Sequence, residues 1–187
     1  MSLIKSTPSL KILGFNFDKN PNASFHVEKT VEKFYSRLWT LRFLKRSGLD
    51  SDKLLALYYS VVRSAVEYSS VVYHTMIPAT LSNKLESIQR QALRIIYGWY
   101  KNITEIMAVK NIETLEERRE KALLQFALKN EYSERFGKRW FTPSQQTTMS
   151  VRDSTREKYK VPFCRTERMT NNPVIKMTKS LNEHYRN

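Results

Sequence analysis

The residues of this chain best suited to acid–base, nucleophilic or metal chemistry are three histidines, one cysteine and a scatter of carboxylates. His26, His74 and His184 lie far apart, and the chain has no HExxH, no GxSxG elbow and no glycine-rich phosphate loop. No two aspartates adjoin, as they often do in a two-metal nucleotidyl-transfer site. Cys164 is alone, which removes any intrachain disulfide and any CxxC or His/Cys metal spacing. The sequence therefore predicts no catalytic residue, no metal and no cofactor. His26, at the start of a helix-like run, reads as a cap or surface residue.

The basic residues are better ordered. Lys29, Lys33 and Arg37 recur every fourth position, opposite much of an apolar stripe, and Arg42, Lys45 and Arg46 crowd the end of the same run. Farther along, Lys84, Gln91 and Arg94 share one helical face with Arg90 beside them. Such rows suit phosphate contact, although every amphipathic helix also needs a solvated face and cations in a last turn answer the helix dipole. Tyr58, Tyr59, Tyr68, Tyr73, Tyr97 and Tyr100, with Trp39 and Trp99, fall mostly on helical faces or ends. Core packing accounts for most of them, and a minority remain for stacking on bases or sugars.

Composition supports a polyanionic partner. Lys and Arg number 32 against 18 Asp and Glu, a formal net charge of +14, while 41% hydrophobic residues are enough to bury a core. Each phosphate neutralised by Lys or Arg releases condensed counterions, which makes nucleic acid the first candidate ahead of an anionic membrane or an acidic protein. No apolar run reaches the roughly 18 residues of a membrane span, and the first residues lack a signal-peptide core. An intracellular setting, nucleus or cytoplasm, is the expectation.

Helices must position these rows. Val27, Val31, Phe34, Leu38 and Leu41 step by four and three, one helical face between Asn22 and Ser47. Leu54, Leu57, Tyr58, Val61, Ala65 and Tyr68 predict a second helix from Asp52, capped by Ser51. Leu81, Leu85, Ile88, Ala92 and Ile95 predict a third between Pro78 and Gly98. Thr114 caps a fourth, with Glu116 and Glu117 in its first turn and Leu115, Ala122 and Phe126 along its stripe. Gly48, Gly98 and Gly137 each follow a helix, where left-handed caps place glycine. LKILGFNFD, flanked by Pro8 and Pro21, reads as a strand or hairpin. The fold class expected is mainly α: a short N-terminal hairpin over 1–21, an antiparallel bundle of three to five helices over 22–137, and a basic, irregular extension over 138–187. That extension carries 11 Lys and Arg against 4 Asp and Glu.

In order and spacing, LKILGFNFD, HVEKTVEKFYSRLWTLRFLKRSGL, LLALYYSVVRSAVEYSSVVYH and LSNKLESIQRQALRIIYG resemble the thumb region of non-LTR retrotransposon reverse transcriptases. YKVPFCRTERMTNNPVIKMTKSLN resembles the segment that often closes such polyproteins. The resemblance implies that the hairpin, with Lys11, Leu13 and Gly14, is a primer grip, glycine letting the backbone approach the sugar-phosphate closely. It implies that the helices to Gly98 lie along a template and primer duplex, with Lys29, Lys33, Arg37, Arg42, Lys45, Arg46, Arg90 and Arg94 as sequence-independent contacts. The family's catalytic aspartates belong to a palm upstream of the LG block, so these residues are not expected to polymerise alone. The implied partners are RNA/DNA or other duplex nucleic acid and, beyond that, a palm and fingers polypeptide. The alternative is a helical protein-interaction or self-associating module, because helices that once packed on a palm would expose apolar surface.

Overall fold

A computed structural model of the chain describes residues 9–18, 23–144 and 157–186. It is mainly helical with one antiparallel hairpin in front, as the periodicities require. Strands β1 (Ser9–Ile12) and β2 (Phe15–Asp18) pair Leu10 with Phe17 and Ile12 with Phe15. Side chains opposite each other in an antiparallel pair share a face, so all four apolar residues lie on one side and Lys11 and Asn16 on the other. The flanking Pro8 and Pro21 lie outside the described residues.

Helix α1 (Ser24–Arg46) buries His26, Val27, Thr30, Val31, Phe34, Leu38 and Leu41, the expected stripe with His26 and Thr30 added. Gly48 then takes φ 85° and turns the chain back. The return helix starts at α2 (Ser51–Leu57), whose cap is Asp50 rather than Ser51: the Asp50 carboxylate accepts from the Asp52 N–H at 3.1 Å. It widens into a π-helical stretch, Tyr58–Arg63, and resumes as α3 (Ser64–Glu67). The widening has local causes. Ser60 Oγ bonds back to the Ala56 and Leu57 carbonyls, and Arg37 of α1 donates to the Val61 carbonyl. After a left-handed Ser69 come α4 (Ser70–Tyr73) and α5 (Ala79–Tyr97).

Ser24 and Ala79 line one cleft, while Lys45 of the last turn of α1 donates to the Ile96 carbonyl at 2.9 Å. Helices α1 and α5 therefore run parallel, with the 51–67 helix antiparallel between their ends. Leu38, Leu41, Leu54, Tyr58, Val62, Leu85, Ile88 and Leu93 fill the core that they share.

Short α6 (Ile103–Val109) leads to α7 (Leu115–Asn130), which opens on a full capping box between Thr114 and Glu117. Glu86 of α5 reinforces that end, its carboxylate accepting from the Leu115 and Glu116 N–H groups at 3.2 and 2.8 Å. Burial pushes the Glu86 carboxyl up while those two N–H groups and Arg119 pull it down. The buried stripe of α7 is Leu115, Arg119, Leu123 and Ala127. Phe126 is on the outside and Ala122 only half-buried, a one-residue rotation from the sequence reading.

Beyond residue 137 the chain is less irregular than its sequence suggests. Gly137 opens α8 (Gly137–Trp140) instead of capping the preceding helix, and a Cβ there would stand 2.0 Å from the Glu131 carbonyl oxygen. Short α9 (Glu167–Thr170) precedes α10 (Pro173–Arg186), which lays Met177 and Leu181 against Leu123, Ala127, Phe141 and Tyr159. This second, smaller core fastens the C-terminal segment to α7.

Candidate nucleic-acid interface

The hairpin apex is held in an unfavourable conformation. Leu13 and Gly14 both have positive φ, 48° and 83°, the signature of a type I′ turn, whose first central position favours Asn, Asp or Gly. Leucine there meets its own carbonyl oxygen, and its side chain is 87% exposed. Two contacts keep the loop in place. The Tyr68 hydroxyl donates to the Leu13 carbonyl, and Phe15 stacks on His26 with centroids 4.1 Å apart. His26 is thus a buried dock for the hairpin rather than a surface residue, and its Nδ1 accepts from the Asn16 N–H at 3.3 Å. Burial, helped by Lys33, holds the imidazole below its usual pKa and so neutral. Lys11 is exposed on the polar side of β1.

The basic residues of α1 do not form one track. At about 100° per residue, Lys29 and Lys33 lie opposite the buried stripe, Arg37 sits at one edge of it, and Arg42 and Arg46 sit toward the other. About 140° of helix separates Arg37 from Arg42. Lys29 is paired with Glu32 at 2.9 Å, and Arg37 is occupied by the Val61 carbonyl. Lys45 fastens the end of α5 through Ile96 and touches Ser51 Oγ at 3.3 Å. Lys33, Arg42 and Arg46 are exposed and make no ion pair among the described residues. Arg90 and Arg94 are exposed on α5, and the Arg94 guanidinium lies 5.9 Å from the Trp99 ring.

Between the two basic edges runs a row that the charge pattern does not reveal. Tyr35, Trp39 and Phe43, spaced by four, line the solvent side of α1 with 44, 65 and 55% of their surface exposed. Trp39 and Phe43 are stacked, centroids 5.6 Å apart and planes 13° from parallel. Of the eight rings expected mostly to pack in the core, Tyr58 and Tyr73 are buried and Tyr59 and Tyr97 half-buried, whereas Trp39, Tyr68, Trp99 and Tyr100 are exposed. The spacing carries the signal, since Tyr35, Trp39 and Phe43 keep helical period but fall out of phase with Val27, Val31, Phe34, Leu38 and Leu41. Lys45 joins the last turns of α1 and α5, so Trp99 and Arg94 belong to the same end of the bundle as Phe43.

The chain matches no protein-family model, no curated protein and no solved structure. No group of three His, Cys, Asp or Glu among the described residues has metal-binding geometry. No helix there is long and apolar enough to cross a membrane. What the surface offers chemically is cationic and aromatic contact at one end of a helical bundle, with a rigidly tethered apolar turn beside its other end.

Proposed function

We propose that this chain is a nucleic-acid-holding module of the thumb type, similar to the thumb of non-LTR retrotransposon reverse transcriptases, and that it grips a template and primer duplex without sequence preference. The observation that carries this reading is the hairpin apex. A leucine kept in the left-handed region and almost wholly in water costs stability twice, through its backbone and through its exposed side chain. A tether to Tyr68 and a dock on His26 hold it there, which suits a turn that presses on a sugar edge. Lys33, Arg42, Arg46, Arg90 and Arg94 then supply phosphate contacts. In this reading the grip belongs to these residues and the polymerising aspartates to a palm polypeptide.

The test is binding of a fluorescent RNA/DNA heteroduplex at rising salt. Several neutralised phosphates give a log–log slope of about −0.9 for each. A chain that leaves the duplex free at low salt, or binds it with a flat salt dependence, is not a thumb-type grip.

A second reading draws on the hairpin's apolar face. Leu10, Ile12 and Phe17 are about half exposed beside buried Phe15, and β1 offers an unpaired strand edge among the described residues. This face suits a protein partner such as a palm, or a second copy of the chain. Light scattering over a concentration series decides for self-association if the mass rises and Ile12→Lys prevents it.

A further inference from the structure

The solvent face of α1 carries aromatic rings and arginines in register. Trp39 and Phe43 are one helical turn apart and nearly parallel. Arg42 follows Trp39 by three positions and Arg46 follows Phe43 by three, so each ring has an arginine on the adjoining turn. The buried stripe leaves this face unused, and nothing among the described residues covers it. Leaving two large aromatic side chains in water is costly by hydrophobic transfer, and the helix would be better served there by polar residues.

We propose that Trp39 and Phe43 form a stacking platform for unpaired bases, with Arg42 and Arg46 holding the phosphates of the same strand. Parallel rings expose flat faces on which a base extends the stack, whatever its identity, because every base has a π face. Arginines one turn away meet phosphates, and their planar guanidinium groups themselves stack. The charge pattern selects this occupant over an apolar protein helix. An apolar partner would desolvate both guanidinium groups without giving them an acceptor, whereas a nucleotide strand satisfies rings and cations together. The pattern also sets the extent of the site. Glu28 lies on the same side of α1 at its other end, where it repels phosphate, and Glu32 beside it already holds Lys29, so the strand is confined to the last two turns. Such a site would hold a single-stranded overhang where it leaves the duplex. Arg42 and Arg46, phosphate contacts of the duplex grip as well, meet the strand at that junction, while Trp39 and Phe43 add the base contact that the grip does not include.

The experiment compares two labelled strands of equal length, an oligothymidylate and its abasic counterpart, binding to the full chain. The wild-type protein should favour the base-bearing strand by about fivefold or more, since base–aromatic stacking contributes about 1–3 kcal/mol per base. Trp39→Ala with Phe43→Ala should remove that preference and leave the abasic affinity unchanged. Arg42→Gln with Arg46→Gln should weaken both strands. Alanine at exposed helical positions keeps α1 intact, which circular dichroism verifies. Equal affinity of the wild type for both strands overturns the proposal, as does a preference that survives in the double alanine variant. A double variant that changes the oligomeric state and not strand preference assigns the face to a protein contact and overturns it too. A chain that prefers the base-bearing strand yet ignores heteroduplex keeps this site and loses the thumb reading, so the two failures are distinguishable.

Discussion

The Tyr68 hydroxyl donates to the carbonyl oxygen of Leu13, joining the hairpin apex to the helical bundle across 55 residues of chain. A two-stranded hairpin is marginal by itself, so the stiffness of the apex depends on such ties. Tyr68→Phe removes the donor and leaves the ring. It should cost about 1 kcal/mol, concentrated in the hairpin, and amide hydrogen exchange of β1 and β2 should quicken while α5 is unchanged. Gly14→Ala should do more. It forces a Cβ into the left-handed region and brings it to 3.3 Å from Tyr68 Cε1. Unchanged exchange in both variants would show that His26 alone holds the hairpin.

Charge changes on α1 should separate binding from folding. Lys33→Gln, Arg42→Gln and Arg46→Gln touch exposed side chains outside the ion pairs of the described residues, and only Arg46 also answers the dipole of α1, so the triple variant should lose no more than about 0.5 kcal/mol of stability. Its heteroduplex affinity should fall, and the salt slope should flatten by about 0.9 for each phosphate left without its cation. Arg37→Glu and Lys45→Ala belong to a different class. Arg37 serves the Val61 carbonyl and Lys45 the Ile96 carbonyl, so each should lose about 1 kcal/mol of stability. Urea titrations of all three variants make the comparison.

What can be read from the sequence follows the range of the interactions involved. The faces of α1 and α5 and the Thr114 cap rest on neighbours within four residues, and the structure agrees with the sequence there, adding the Glu117 half of a capping box. His26, Lys45 and Asn182 escape such a reading because their partners are distant in sequence. His26 is buried by Phe15, Lys45 is drawn to Ile96, and Asn182 makes paired bonds with the Tyr159 backbone at 2.9 and 2.8 Å. Helix α10 reads as irregular in sequence because its buried side mixes Ile175, Met177 and Leu181 with Thr178 and Asn182, which blurs the apolar period. Within the interface, the sequence displays charge but not its occupation. Only the folded geometry distinguishes Arg46, exposed and outside the ion pairs, from Arg37, engaged on the return helix.

Glu131 is the fastening point of the C-terminal segment. Its carboxylate is almost fully buried and accepts from Lys158 at 2.8 Å, from the Tyr185 hydroxyl at 2.7 Å and from the Tyr159 hydroxyl. Burial pushes this carboxyl up, but the three donors outweigh it and hold it below the usual carboxylate range. Glu131→Leu should cost about 3 kcal/mol, because the donors from Lys158 and both tyrosines lose their acceptor. Limited proteolysis should then cut before α10 while α1 to α5 resist. Gly137→Ala should act in the same direction, since its Cβ has no room beside the Glu131 carbonyl. Equal resistance of α10 in both variants would mean that Met177 and Leu181 suffice to hold it.

His74 should make the fold sensitive to mild acid. Its Nδ1 accepts from Arg119 Nε at 3.4 Å, and the Arg119 side chain is 1% exposed, so a proton on His74 would face a buried guanidinium. Burial, then Arg119 and Lys176, push the imidazole down to about 4 from 6.5. Between those values the unfolded chain binds a proton that the folded chain refuses. Stability is therefore full above pH 6.5 and declines as pH falls toward 4, with His26 adding a change of the same sign. The urea midpoint should drop between about pH 7 and about pH 4.5, and His74→Gln should flatten much of that slope. A histidine titration followed by NMR gives the direct check: a His74 resonance moving with a midpoint near the ordinary 6.5 would contradict the contact with Arg119.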